Sequence, residues 1–255
     1  MKTQSESYLE ALGATADLSR DMIDQLETKG YVVIRDVIDP DWLEDMRAAF
    51  DGLVKKEGDN LAIEHHQEET ATRIANMINK GTVWEKVWAH PVVLSVCRHI
   101  FQGPFKVSSL NGREALHHGG HQPLHADWKK PRPDFPKVHL VNAIWAIDDL
   151  SAANGAPRII PGTHRRPELP EDILPDPALP HPDEAIFAAP AGSVMIYNAH
   201  AWHGGTTNTV GTRRRVLHGL YCDREDAQQQ DQRKWLKPET ASRLTPAQKW
   251  LLDVL

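Results

Sequence analysis

The segment Leu124-His125-Ala126-Asp127-Trp128 carries a His-x-Asp pair. On an extended strand, residues two apart point to one side, so the His125 imidazole and the Asp127 carboxylate can reach the same ion. A second histidine from a distant strand would complete a facial triad and leave three positions of an octahedral iron open. A bidentate 2-oxo acid would take two of them and dioxygen the third. The tripeptide alone is a weak motif, and its weight comes from residues further along the chain. His200 and His203 both lie after the turn Pro190-Ala191-Gly192, and His203 sits in Trp202-His203-Gly204-Gly205. Arg214 stands eleven residues beyond His203. A co-substrate with a second carboxylate needs a buried cation. Arginine serves because its fork grips a carboxylate through two parallel bonds and stays charged.

Other residues compete for these roles. His117 and His121 form an i, i+4 pair that could bind zinc on a helix, but Gly119 and Gly120 between them argue for a loop. Arg213, Arg214 and Arg215 are contiguous, so strand alternation sends Arg214 to one face and its neighbours to the other. If Arg214 points inward, Val216, His218 and Leu220 share its face, and His218 is either a core histidine or a neighbour of the co-substrate. His164 in Pro161-Gly162-Thr163-His164 closes a turn, and Asn154-Gly155 reads as a turn between strands. Trp128 either covers a substrate or packs.

The elements that must position these groups change character along the chain. Residues 17–29 place Leu18, Met22, Ile23 and Leu26 at helical spacing, stopped by Gly30. A β-branched run at 31–38 reads as a strand. Asp39-Pro40 opens a helix with an apolar stripe of Trp42, Leu43, Met46, Phe50 and Leu53. Residues 58–72 read as a loop. Thr82 and Glu85 have capping-box spacing for a helix ending near His90, and a second helix spans 91–101. After Gly103, short β-rich runs appear at 105–110, 138–147, 156–160, 184–188, 193–197 and 214–222. Many short strands without long intervening helices predict a sandwich or barrel, so the fold class is a mainly β core with flanking helices. Residues 165–183 interrupt them with prolines at 167, 170, 175, 177, 180 and 182. So long a connection is either a lid over the site or a surface loop stiffened by proline. Residues 238–255 look helical.

At 255 residues with no visible linker or repeat, one domain is expected, and its size permits a core without disulfides. The helical part is about 1–103, the β core about 104–222 and a C-terminal helical tail about 235–255. A formal net charge of −6 with dispersed Lys and Arg argues against nucleic acid and membranes as partners. Two cysteines make no disulfide framework, and residues 1–10 show no apolar leader, so a cytoplasmic setting is expected.

In the order and spacing of its motifs the chain resembles the phytanoyl-CoA dioxygenase family. The matching segments run from Lys29-Gly30-Tyr31-Val32-Val33 through Gln122-Pro123-Leu124-His125-Ala126-Asp127, Asn154-Gly155 and Pro161-Gly162-Thr163-His164 to Trp202-His203-Gly204-Gly205 with Arg214. The resemblance implies a double-stranded β-helix, a cupin-like jelly roll, braced by N-terminal helices. It implies Fe(II), 2-oxoglutarate and O2, with ascorbate supporting activity. It puts the iron ligands on His125, Asp127 and His203 rather than His200. It puts the clamp on the far carboxylate of 2-oxoglutarate at Arg214, and co-substrate or pocket contacts at Gln122 and Trp145. The implied reaction is oxidation, by hydroxylation, of a small-molecule metabolite. The retained carboxylate of Asp127 argues against halogenation, which needs a small residue there. The competing readings are a non-catalytic jelly-roll binding protein and a cupin-like metalloenzyme that uses no oxo acid. Neither requires Arg214 or Gln122.

Overall fold

The computed structural model describes residues 3–62, 68–129 and 134–255. Among these, helices α1 (Gln4–Ala11), α2 (Arg20–Lys29), α3 (Pro40–Glu57), α4 (Glu85–Trp88) and α5 (Pro91–Phe101) fall mainly in the first hundred residues. They are interleaved with strands β1 (Tyr31–Ile34) and β2 (Ala71–Ile74). The strands β3 (Phe105–Ala115), β4 (Leu140–Ala146), β5 (Pro157–Ile159), β6 (Ala185–Ile186), β7 (Val194–Asn198), β8 (His203–Gly205) and β9 (Arg215–Asp223) come after them. A larger antiparallel sheet has the order β1-β7-β4-β9-β3-β2, and a smaller one the order β6-β5-β8. An isolated bridge between His125 and His203 extends the smaller sheet by one short segment. This is a jelly-roll core with flanking helices.

Capping chemistry sets the helix boundaries. Ser19 accepts a bond from Met22 N, so α2 starts at Arg20 rather than at 17. Gly30 ends it in the left-handed region at φ 84°. Asp39 caps α3, Pro40 takes its first turn, and Trp42, Met46 and Phe50 are its buried stripe. Thr82 and Glu85 form no capping box: residues Thr82–Trp84 make a 3-10 turn from which α4 continues. Helix α1 has a capping box between Thr3 and Glu6 but buries only Leu9, so its sequence shows no apolar stripe. The tail is not one helix. Two prolines divide it into α8 (Pro238–Ala241) and α9 (Pro246–Leu251), preceded by α7 (Gln232–Trp235). Of the 58–72 stretch, Gly58–Asn60 is a 3-10 turn and β2 begins at Ala71, while 63–67 lie outside the described residues.

Strand β4 divides two cores. Its Val141, Ala143 and Trp145 pack outward against the helices, in a cluster with Trp42, Trp84, Trp88 and Val93. Its Leu140, Ile144 and Ala146 point inward, to Ile159, Phe187, Met195 and Val216. Both faces are buried, so the helices hold the larger sheet from behind while its inner face is left for a site.

Candidate metal centre and anion pocket

His125, Asp127 and His203 each offer one ligand atom, and these atoms lie within 4.8 Å of one another. The positions follow from the backbone. His125 and His203 exchange N–H···O bonds at 2.9 Å across their bridge, and Asp127 N donates to Ala199 O at 3.0 Å. Each imidazole is oriented by a carbonyl: His125 Nδ1 donates to Pro123 O and His203 Nδ1 to Ala201 O, both at 2.9 Å. With Nδ1 protonated, each Nε2 keeps its lone pair for a cation. Asp127 Oδ1 is 3.8 Å from His125 Nε2 and 3.5 Å from His203 Nε2. Asn142 Nδ2 approaches Asp127 Oδ2 at 3.4 Å and donates to the Tyr197 hydroxyl at 3.1 Å, while Tyr197 packs edge-on to His203.

The electrostatics fit a bound cation. Burial, and then His203, push the His125 imidazole down to about 4, so it is neutral at neutral pH. Burial alone would raise the Asp127 carboxyl, but His203 and His125 outweigh it and hold the acid well below its ordinary range. Burial lowers the His203 imidazole, and the Asp127 carboxylate beside it more than reverses that. Two neutral nitrogens and one ionised carboxylate are the donor set of a non-haem iron triad.

The triad opens into a cavity of ≈ 310 Å³, whose lining includes Gln122, Arg214 and His218. Arg214 is 1% exposed, and its Nε and Nη1 are buried without a hydrogen-bond partner among the described residues. Its neighbours Arg213 and Arg215 point away and are paired, with Glu114 and Asp51 and with Asp148 and Asp51 respectively. Alternation along β9 also turns His218 and Leu220 into the cavity. A buried guanidinium with no acid at its fork fits the far carboxylate of an oxo acid that chelates the metal.

The structure separates the other candidates. Gln122 lines the cavity, tied to β8 by its N–H to Gly205 O at 3.0 Å. Trp145 does not: it lies on the opposite face of β4, edge-on to Trp42 and His90, and Asn142 and Ile144 take the cavity face. His200 is buried, accepts from His139 N at 3.1 Å, and is not grouped with the triad. His117 and His118 are exposed and stacked on each other, and His121 Nε2 meets Ala178 O at 3.0 Å. Trp128 stacks on His139 at 4.1 Å instead of covering the cavity. His164 fills the space left by the missing side chain of Gly30. Its turn braces the segment of His203, because Thr163 Oγ1 accepts from Trp202 N at 2.9 Å and Gly162 N donates to Lys29 O at 2.9 Å. Residues 165–183 include α6 (Pro170–Ile173) and supply none of the cavity lining. They dock beside His125, with Leu124 N donating to Pro177 O at 2.8 Å and Arg158 Nη1 to Leu179 O at 3.1 Å.

Sequence reasoning missed Arg73, Arg113 and Asn142. Asn142 interrupts an apolar strand, and Asn111 and Arg113 continue the alternation of Ser109 beyond the predicted end of their strand at 110. Both are polar positions in register with an inner face.

A family model described as "Phytanoyl-CoA dioxygenase (PhyH)" matches residues 26–216. The dioxygenase andF of Emericella variicolor is 24% identical over 216 residues, covering 76% of this chain and 70% of its own. The dioxygenase trt7 of Aspergillus terreus is 24% identical over 205 residues, covering 75% and 69%. Among solved structures, HygX from Streptomyces hygroscopicus with nickel and 2-oxoglutarate bound superposes with a TM-score of 0.62 at 15% identity, over 84% of this chain and 90% of that one. The non-haem α-ketoglutarate-dependent carbocyclase SnoK from nogalamycin biosynthesis gives a TM-score of 0.67 at 20% identity, over 97% and 95%. The chain belongs to the phytanoyl-CoA dioxygenase family and is a non-haem, iron- and 2-oxoglutarate-dependent dioxygenase.

Proposed function

We propose that His125, Asp127 and His203 hold Fe(II), that Arg214 pairs with the far carboxylate of 2-oxoglutarate, and that the outcome is hydroxylation of a small-molecule metabolite. The observation that carries this reading is the buried Arg214 guanidinium, whose Nε and Nη1 have no partner among the described residues, in the cavity that the triad opens into. A protein that only bound metal, or a jelly roll without turnover, would carry that burial cost with nothing to offset it. Iron, when bound, supplies activation of dioxygen coupled to decarboxylation of 2-oxoglutarate to succinate.

The chain's own residues bind, orient and shield. Asn142 fixes the Asp127 carboxylate, and Gln122 lies beside β8 within reach of the co-substrate. Ile144, Pro157 and Leu220 keep one wall apolar, which limits the water around the reacting centre. Because Asp127 is a carboxylate, the metal position that a halide would need is taken, which supports hydroxylation over halogenation. The helices and the tail share one core with the larger sheet, and residues 1–255 are read as one catalytic unit.

The test is succinate release with Fe(II), ascorbate, O2 and 2-oxoglutarate. The wild-type protein should release succinate slowly even without a primary substrate, and His125→Ala, Asp127→Ala and His203→Ala should not. Equal release by wild type and Asp127→Ala would overturn the assignment.

A further inference from the structure

On the oxygenase reading 2-oxoglutarate would span the triad and Arg214, and the strand register places the rest of the lining to one side of that span. Strand β3 neighbours β9, with Asn111 opposite His218, and β2 lies beyond, with Arg73 opposite Arg113. Arg73, Ser109, Asn111 and Arg113 all line the cavity, as period-two alternation on β3 requires. Gln229, from the segment after β9, closes this side. Asn76 N donates to Asn111 Oδ1 at 3.2 Å, which makes Asn111 Nδ2 a donor. Gln229 Oε1 therefore accepts from Asn111 Nδ2 at 3.1 Å, and from Ser109 Oγ at 2.6 Å. The glutamine is held with its oxygen toward β3 and its NH2 group left to donate.

The two outer arginines are not equivalent. Arg113 commits Nε and Nη2 to Glu68, and Nη2 also reaches Gly120 O at 3.1 Å. Arg73 gives Glu68 only its Nε, at 2.8 Å, and its terminal nitrogens make no hydrogen bond to a described residue. Lys129 stands at the rim. Four cationic side chains thus face two carboxylates, Asp127 and Glu68, and loading Fe(II) with a 2-oxoglutarate dianion leaves that excess unchanged. The field is felt by His218: burial first, then Arg73, Arg214 and Arg113, push its imidazole well below the ordinary value. The cavity, at ≈ 310 Å³, is near the low end of the range of about 300–1,000 Å³ for ligand sites, yet it must hold both substrates.

We infer that the part of the cavity bounded by Arg73, Asn111 and Gln229 is the primary-substrate subsite, and that it takes a small carboxylic acid whose carboxylate pairs with Arg73 and Gln229. The inference rests on the oxygenase reading. Donors and positive charge surround this space, so a small acid is recognised and a large apolar skeleton is not.

Calorimetry on the Ni(II)-loaded protein separates the two readings. 2-Oxoglutarate is titrated first; failure to bind would overturn the oxygenase reading and this inference with it. The 2-oxoglutarate complex is then titrated with lactate, 3-hydroxybutyrate, proline and phenylacetate, each beside its primary amide. At least one acid should bind, with its amide at least about tenfold weaker, as loss of a charged hydrogen bond predicts. Arg73→Gln should remove that preference and Arg73→Lys restore part of it, with 2-oxoglutarate affinity the same in all three proteins. The inference is overturned if no acid binds, if acids and amides bind equally, or if Arg73→Gln weakens 2-oxoglutarate as much as the acid.

Discussion

Arg214 carries its charge into a nearly closed space, and that has two opposite consequences. Burial, and then Arg113, push its guanidinium down to about 9, with Glu68 pulling the other way. It is still charged at neutral pH but poorly satisfied until an anion arrives. Arg214→Ala should therefore raise the KM for 2-oxoglutarate roughly ten- to hundred-fold, since a charged hydrogen bond is worth about 1.5–3 kcal/mol. The same substitution should leave the ligand-free protein no less stable, and should abolish the rise in Tm that 2-oxoglutarate gives the wild type. An unchanged KM would move the clamp elsewhere. Glu68 is the complementary case. Burial would raise its carboxyl, but Arg113 and Arg73 outweigh that and hold it at about 2, against 4.5 for the free acid. A depressed folded-state value means stability that is complete above about pH 4.5 and is lost as pH falls toward 2. The Tm difference between wild type and Glu68→Gln should be flat through neutrality and shrink across that window. A difference that grew on acidification would show that the two arginines do not govern this carboxylate.

Strand β8 shows how an element can be functional and nearly invisible. His203-Gly204-Gly205 has no apolar alternation, so only the motif context marks it. The glycines are required by close approach: a side-chain carbon on Gly205 would collide with the Gly120 carbonyl oxygen, and one on Gly204 would stand 2.7 Å from Gln122 O. Gly205→Ala should thus push apart the two segments that carry His203 and His125. Iron affinity should fall by at least about an order of magnitude, the loss typical of disturbed outer-shell support, in a protein that still folds. Gly52 in α3 is the control, because nothing lies within 4 Å of an added methyl. Gly52→Ala should raise stability by up to about 1 kcal/mol in a denaturant titration and leave iron binding alone. The loop read at 58–72 takes in the start of β2 for a related reason: Ala71-Thr72-Arg73-Ile74 turns an arginine toward the cavity. Conversely, β4, β7 and β9 are legible because strands buried on both faces read as continuous apolar runs. That same continuity hides which face is which, so Trp145, an aromatic in the right strand, lies against the helices while the less conspicuous Asn142 reaches Asp127.

At the scale of the whole molecule, the helices and the smaller sheet brace the larger sheet from opposite sides. One core, containing Trp42, Trp84, Trp88 and Trp145, locks the helices behind it, and the other joins the two sheets around the cavity. The triad and Arg214 are readable from motif order because the proposed chemistry needs each residue type at a fixed spacing. Arg73, Arg113 and Gln229 are not, since three segments distant in sequence build that wall and only the register β2-β3-β9 unites them. The proline-rich connection is ambiguous in sequence between lid and surface loop. The structure docks it against Leu124 and Arg158 and gives it no part in the cavity lining. On the proposed reading all of these parts serve one arrangement, in which an oxo acid held at its far end chelates iron on three side chains. Visible absorption of the anaerobic Fe(II) protein titrated with 2-oxoglutarate reads that chelate directly through its metal-to-ligand charge-transfer band. The band should form in wild type and in His200→Ala and be lost in His203→Ala. No band in wild type, or an undiminished band in His203→Ala, would contradict the assignment.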